Sequence, residues 1–527
     1  MSDTKSKIEM RKEGFLKTHD ITSLKFQQES RAVKLRKEKR MEFVKKRRIS
    51  DNLSSASMDF KVPKEAIREF LIGKYPELGD DRFPCIRKID ILVKEIKIAQ
   101  SYEELSYALE SLKVIYGKNM TMPNDYIFTE EFIDIFIVLL NSDFIRGKIL
   151  ILAILANAFA SKGKIIDRFI SKDIIKITKD IIKMHVDVGL TDNGLYVLGN
   201  IIGEGLAYRN KVIEEGAHNI ILDLLVSEAF KPSQTAWKLC IWVLNNLCKR
   251  PVDKIFASKI INAMPLLLKI RPDDYETTSN LLYIGKSLAS QSLENCILIS
   301  KKNLFPLYLK YCIDPKREFS SPSLKFIGNI VYFSNDLTKI LLDMGLLPRL
   351  ISNLTNRSQE TQKDVLSIFS NIFLSIKPIV LAVINDSCFN TYLKILNMGS
   401  ESIRTSAFLG LCNAISLKDI EIIVSLLNFG FLEKILEFSN SSSIETLQKV
   451  LSSLRTIFKI ASDVMNDNQY QDFLKKFTSI GGCDVLEKLQ DHKNDDIHLE
   501  AKMIIEEFIG AETDEVSLNP VDTFNFS

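Results

Sequence analysis

Asparagine recurs along this chain at a nearly constant interval. Asn157, Asn200, Asn246, Asn329, Asn371 and Asn413 are separated by 43, 46, 83, 42 and 42 residues. The gap of 83 is about two periods, and Ser287 occupies the skipped slot. Each asparagine lies in a similar apolar window, among them LAILANAFA, LYVLGNIIG, IWVLNNLCK and FLGLCNAIS. A period near 42 belongs to stacked two- or three-helix units, each of which buries its apolar face only against its neighbours. A polar residue at one place in every unit forms a ladder along one face of the stack. That ladder is the first candidate for a binding surface.

Composition agrees with helices joined by short turns. Gly (21) and Pro (14) are scarce in 527 residues, and 46% of the chain is hydrophobic. The longest apolar run, Ile149 to Ala160, is too short to span a bilayer. The N-terminus has no apolar signal core, so the chain is expected to be intracellular and soluble. Several units close on a glycine before a new helix, as in EEGAHNIILDLL, DMGLLPRLISNL, NFGFLEKILEFS and IGGCDVLEKLQD. These glycines are predicted to take the left-handed conformation that ends a helix.

The eight cysteines are scattered without a CxxC pair and are expected to be free thiols in a reducing compartment. The five histidines make no metal pattern, and no cofactor or metal is expected. There is no GxSxG, phosphate-binding glycine loop or Cys–His pair, so an enzyme is not expected.

Charge is unevenly distributed. Residues 1–50 hold 16 Lys/Arg and 7 Asp/Glu, a net +9, so the remaining 477 carry 3 − 9 = −6. Glu29 to Arg48 has no Gly or Pro and is rich in helix formers, but is too polar to fold by itself and should order on binding. The expected organisation is a basic arm and linker over 1–60, a helical stack over 61–510, and an acidic tail over 511–527.

This organisation resembles importin-alpha, the nuclear-import adaptor family, over nearly the whole chain. In the arm, ESRAVKLRKEKR and KKRRIS are similar to the family's importin-beta-binding segment and its basic end. LYVLGNIIGEGLAYRNKVIEEGA resembles its third repeat and IWVLNNLCKRP its fourth. GGCDVLEKLQDHKNDDIHLEAKMIIEEFIGAETDE resembles its last repeat and acidic finish. The resemblance implies an all-α armadillo-repeat right-handed superhelical solenoid of about ten repeats.

The family's signature is Trp-x-x-x-Asn on the third helix of each repeat. Residues i and i+4 share a helix face. The ring gives a wall for a lysine stem, and the amide holds the backbone of an extended peptide. By resemblance, the major cargo-signal site uses Asn157, Tyr196, Asn200, Glu204, Trp242, Asn246 and Tyr283. Ala153 replaces one Trp, and Glu276 with Asp273 and Asp274 is expected to add negative potential. The minor site keeps Lys325, Asn329, Asn371 and Asn413. It has Ser367 and Leu409 in place of Trp, so weak or no binding is expected there.

Arg31, Lys34, Arg36, Lys37, Lys39 and Arg40 would bind importin-beta, although Lys25-Phe26-Gln27-Gln28 replaces the family's arginine run after the leucine matched by Leu24. Lys46, Arg47 and Arg48 would act as an autoinhibitory pseudo-signal. The implied partners are importin-beta, cargo with Lys/Arg-rich localisation signals, a nuclear export receptor at the last repeats and nuclear pore components. No membrane and no direct nucleic acid are expected, and the protein would shuttle between cytoplasm and nucleus. The alternative is an armadillo scaffold for other peptide partners.

Overall fold

The computed structural model describes residues 71–510, apart from 80–84, 119–121, 162–163, 185, 227–232, 271–273 and 356. The arm residues Arg31, Lys34, Arg36, Lys37, Lys39, Arg40, Lys46, Arg47 and Arg48 lie outside these residues, as do Asp273 and the tail. Within the described residues one compact unit ends at Phe305 and a second begins at Pro306.

The first unit is a stack of helix triplets. Its third helices are Tyr102–Lys118, Ile145–Ala160, Val188–Glu204, Gln234–Cys248 and Tyr275–Ala289, and each packs on the next in that order. These belong to repeats one to five. In repeat five the first two helices are fused into one, Lys254–Ile270, with Pro265 inside it. The second unit repeats the arrangement with third helices Arg317–Phe333, Gln359–Ile372, Glu401–Ile415, Ile444–Val464 and Asp495–Ile504, for repeats six to ten. Among the described residues there is no strand.

Local chemistry sets the boundaries. Asp187 accepts from the backbone N–H of Gly189 and Leu190 to start the repeat-three helix, and Ser233 accepts from Ala236 to start that of repeat four. Ser292, Ser334, Ser358, Ser443 and Asn494 cap other helices in the same way. Such caps satisfy donors that a helix start leaves open. The four predicted turn glycines are left-handed: Gly216, Gly345, Gly430 and Gly481 have φ between 69° and 81°. Asp173 (φ 60°) and Asn303 (φ 53°) fill the same turn, between first and second helices, in repeats three and six. Asp and Asn tolerate this region better than other side chains.

The core is aliphatic with aromatic joints between repeats. Phe128 meets Phe132, Phe136 and, in the next repeat, Phe169 at ring separations of 5.8, 5.7 and 5.5 Å. The run Ile149–Ala160 falls in the third helix of repeat two, and Leu150 through Phe159 are buried.

Candidate functional site

The repeat-three helix carries Asp192, Tyr196, Asn200 and Glu204 at successive intervals of four, so they form one stripe. Asn200 is buried, and its Nδ2 donates to the carbonyl oxygen of Ala156 at 2.8 Å. Asn246 of repeat four does the same to Gly199 at 3.4 Å. Each acceptor is the residue just before the ladder asparagine of the preceding repeat. Two turns earlier, Asn193 Nδ2 donates to Ile149 at 2.9 Å in the same register. The ladder amides therefore strap one third helix to the next. A side-chain amide has two donors and an acceptor, and the strap uses one donor. The Oδ1 of Asn246 also accepts from Lys249 Nζ at 2.6 Å. Asn157 is buried on the repeat-two helix beside the equally buried Ala153.

Tyr196 and Trp242 come together across two repeats, with ring centroids 6.2 Å apart and planes at 50°. The indole lies on the backbone of the repeat-three helix. A Cβ added to Gly199 would fall 2.1 Å from the Trp242 ring, so only glycine admits it. Both rings are buried, at 6% and 3% exposure. In repeat five, Tyr283 and Ser287 are half-buried at the corresponding slots.

Among the acids, Glu204 is half-buried and Glu276 is exposed. Asp274 has partners within the stack. It is bound by Lys238 Nζ at 2.9 Å and by Thr277 Oγ1 at 2.9 Å. Burial opposes its ionisation, but Lys238 and Thr277 hold its carboxyl below the usual range. Its charge is paired with Lys238 within the stack. The acid that sequence reasoning passed over is Asp192. Burial pushes its carboxyl up to about 7, Ser233 opposes that, and Asp187 adds to it. Ser233 Oγ is 3.4 Å away. The spacing of four to Tyr196 was visible in the sequence, but its surroundings were not.

In the second unit Asn371 and Asn413 are buried and Asn329 is half-buried. Asn413 Nδ2 donates to the Ser370 hydroxyl at 2.8 Å, a strap in the same register using a side chain as acceptor. Lys449 Nζ lies 3.4 Å from Asn413 Oδ1. Lys325 is exposed one turn before Asn329, and Ser367 and Leu409 are half-buried one turn before Asn371 and Asn413. The Trp positions there carry no ring.

Comparison with known proteins agrees with this architecture. Residues 471–522 match the family model described as an atypical Arm repeat. Rice (Oryza sativa subsp. japonica) importin subunit alpha-1b is 22% identical over 172 residues, 33% of this chain and 32% of that protein. Arabidopsis thaliana importin subunit alpha-9 is 21% identical over 334 residues, 60% of this chain and 62% of that protein. The matches thus span less than two thirds of the relatives' own length. The crystal structure of an engineered protein superposes with a TM-score of 0.65 at 18% identity, covering 80% of this chain and 98% of that one. The fold is that of an armadillo-repeat solenoid.

Cys240, Cys248, Cys296, Cys312 and Cys412 are buried, and burial pushes the Cys248 thiol up to about 12, far from a reactive thiolate. Among the described residues no group of His, Cys, Asp and Glu could hold a metal ion. No single described helix is long and apolar enough to cross a membrane.

Proposed function

We propose that this chain is a nuclear import adaptor of the importin-alpha kind. The ladder of the first unit takes an extended Lys/Arg-rich segment of a cargo protein. Residues 1–60 link that cargo to importin-beta and, when importin-beta is absent, compete for the same ladder through Lys46, Arg47 and Arg48. The observation that carries this reading is the joined stripe of Tyr196, Asn200, Glu204, Trp242 and Asn246. Two adjoining rings, two strapped amides and a carboxylate lie on neighbouring third helices. Rings accept lysine stems, amides grip a peptide backbone whatever its sequence, and Glu204 selects for cations.

The second unit keeps its asparagines without rings, so its contribution to basic peptides is small and single-cluster signals are preferred. Shuttling between cytoplasm and nucleus, an export receptor at the last repeats and contact with nuclear pore components belong to the same reading. They rest on likeness to the importin-alpha relatives.

A second reading, an armadillo scaffold for other peptides, draws on the ringless ladder of the second unit. The deciding experiment is binding of a short single-cluster Lys-rich peptide to the protein and to an Asn200→Ala, Glu204→Ala double variant. Under the adaptor reading the wild-type protein binds and the variant loses at least about tenfold, or 1.4 kcal/mol. Equal binding by both would move the scaffold reading to first place.

A further inference from the structure

We infer that His218 makes the joint between repeats four and five acid-sensitive: when its ring takes a proton, the packing of the repeat-four second helix on the repeat-five helix loosens. This does not rest on the peptide-binding reading above. The histidine sits two residues after the left-handed Gly216, at the start of the second helix, Ala217–Val226. Two residues after the same left-handed turn, repeat three has Ile175, repeat six Phe305, repeat seven Leu347 and repeat nine Leu432, all buried. Repeat ten has a half-buried Cys483 there. None of these side chains takes up a proton near neutrality. The fold is served by an apolar group in this slot, and repeat four puts a titratable one there.

The His218 ring is buried and meets Phe256 of the repeat-five helix edge to face, with centroids 4.7 Å apart. Its Nδ1 has no hydrogen-bond partner among the described residues. A neutral imidazole can leave one nitrogen as an unfilled acceptor, whereas imidazolium carries an N–H on both nitrogens. A proton on Nδ1 is then a buried donor without an acceptor, in a site that also strips water from the charge.

The charges about the ring do not make up for this. Burial pushes the imidazole below the usual histidine range. Asp253, in the turn before the repeat-five helix, and the Ile213 carbonyl favour the charged ring, while Lys259 of that helix and Arg209 of the repeat-four first helix oppose it. From the repeat-three second helix on the other side, Lys179 Nζ donates to the Glu215 carbonyl at 2.9 Å. On the repeat-four third helix, burial keeps the thiols of Cys240 and Cys248 protonated.

Linkage fixes the sign. The opened joint binds the proton below about pH 6.5, the ordinary histidine midpoint. The packed joint binds it only at lower pH. The joint is therefore at full strength above about pH 6.5 and weakens as pH falls from there towards the midpoint of the packed form. For one such group the opening equilibrium rises by up to about tenfold between pH 7.5 and pH 5.5. The second helix of repeat four packs on its third helix, so the loosening reaches the helix that carries Trp242 and Asn246.

The test is amide hydrogen exchange of the full-length chain at pH 7.5 and pH 5.5, corrected for intrinsic exchange and repeated with His218→Leu. Leucine is the residue that repeats seven and nine carry in this slot. In the wild type, opening of segments 217–226 and 254–269 is expected to rise by up to about tenfold on acidification. Segment 346–355 of repeat seven, where Leu347 holds the slot, should not respond. His218→Leu should abolish the rise in repeats four and five. Acidification that leaves those two segments unchanged in the wild type overturns the inference. So does a rise of equal size in repeat seven, or one that persists in His218→Leu. The comparison of repeats within the wild-type chain decides the matter even if the variant fails to fold.

Discussion

Gly199 and Trp242 are 43 positions apart in the chain and act as one feature. The indole needs the bare backbone that glycine leaves, and the ring in turn roofs the turn that bears Asn200. Gly199→Ala would place a methyl 2.1 Å from the ring. The ring must then move, at a cost of about 1–3 kcal/mol for overpacking, and its partnership with Tyr196 is lost. The expected outcome is a lower denaturation midpoint together with weaker Lys-peptide binding. An alanine variant with unchanged stability and affinity would show that the ring can shift without consequence.

The same residues show what could be read in advance. Trp242 and Asn246 were legible because a spacing of four is a local property of a helix. Gly199 stood in a quoted window, but its partner comes from the next repeat, which no local pattern supplies. Asp274 was expected to add negative potential beside Glu276, and its ion pair with Lys238 of the preceding repeat has no local sequence signal. Asp192 is half-buried beside Ser233 of the next repeat, a contact that no local pattern supplies.

At the level of elements, the third helices are held together by straps and staples that the repeat period does not announce. Arg209, on the first helix of repeat four, is 5% exposed. Its Nε donates to Leu247 at 2.8 Å, and its Nη2 donates to Pro251 at 2.7 Å and Arg250 at 3.3 Å. These are carbonyls at and beyond the end of the repeat-four third helix, where a helix leaves acceptors open. The fork thus closes the end of the helix that carries Trp242 and Asn246.

Arg209→Ala leaves these acceptors without their donor and is expected to cost about 2–4 kcal/mol, within the range for hydrogen bonds to a charged group and stranded buried acceptors. Arg209→Lys should recover little, since an ammonium does not reproduce the planar fork. Denaturant unfolding of the two variants distinguishes this from simple loss of charge, which lysine would restore. The turn glycines were readable because left-handed turns have a strong residue preference. Asp173 and Asn303 occupy the same turn and were overlooked because Asp and Asn have many other uses.

For the whole molecule, the recurring asparagine was enough to indicate stacked helices, because a period near 42 leaves few other ways to bury this much apolar sequence. The division at Phe305 and Pro306 left no mark on that period: the repeat spacing continues through it from Ser287 to Asn329. Charge, by contrast, is sharply divided, with +9 in residues 1–50 and 3 − 9 = −6 in the rest. Under the adaptor reading, a tethered basic segment would compete for the ladder at an effective concentration of about millimolar.

If the intrinsic affinity of the segment is about 0.1 mM, its presence weakens an external peptide about tenfold by mass action. Deleting residues 1–60 is therefore expected to tighten Lys-peptide binding by about that factor. Raising salt should narrow the gap, because both competing contacts are ionic and screened over about a Debye length. A synthetic peptide of residues 1–60, added in trans at micromolar concentration, should not restore the inhibition, since it lacks the advantage of the tether. Affinity that is the same with and without the arm would sink competition in cis. The basic segment would then serve importin-beta alone under the adaptor reading.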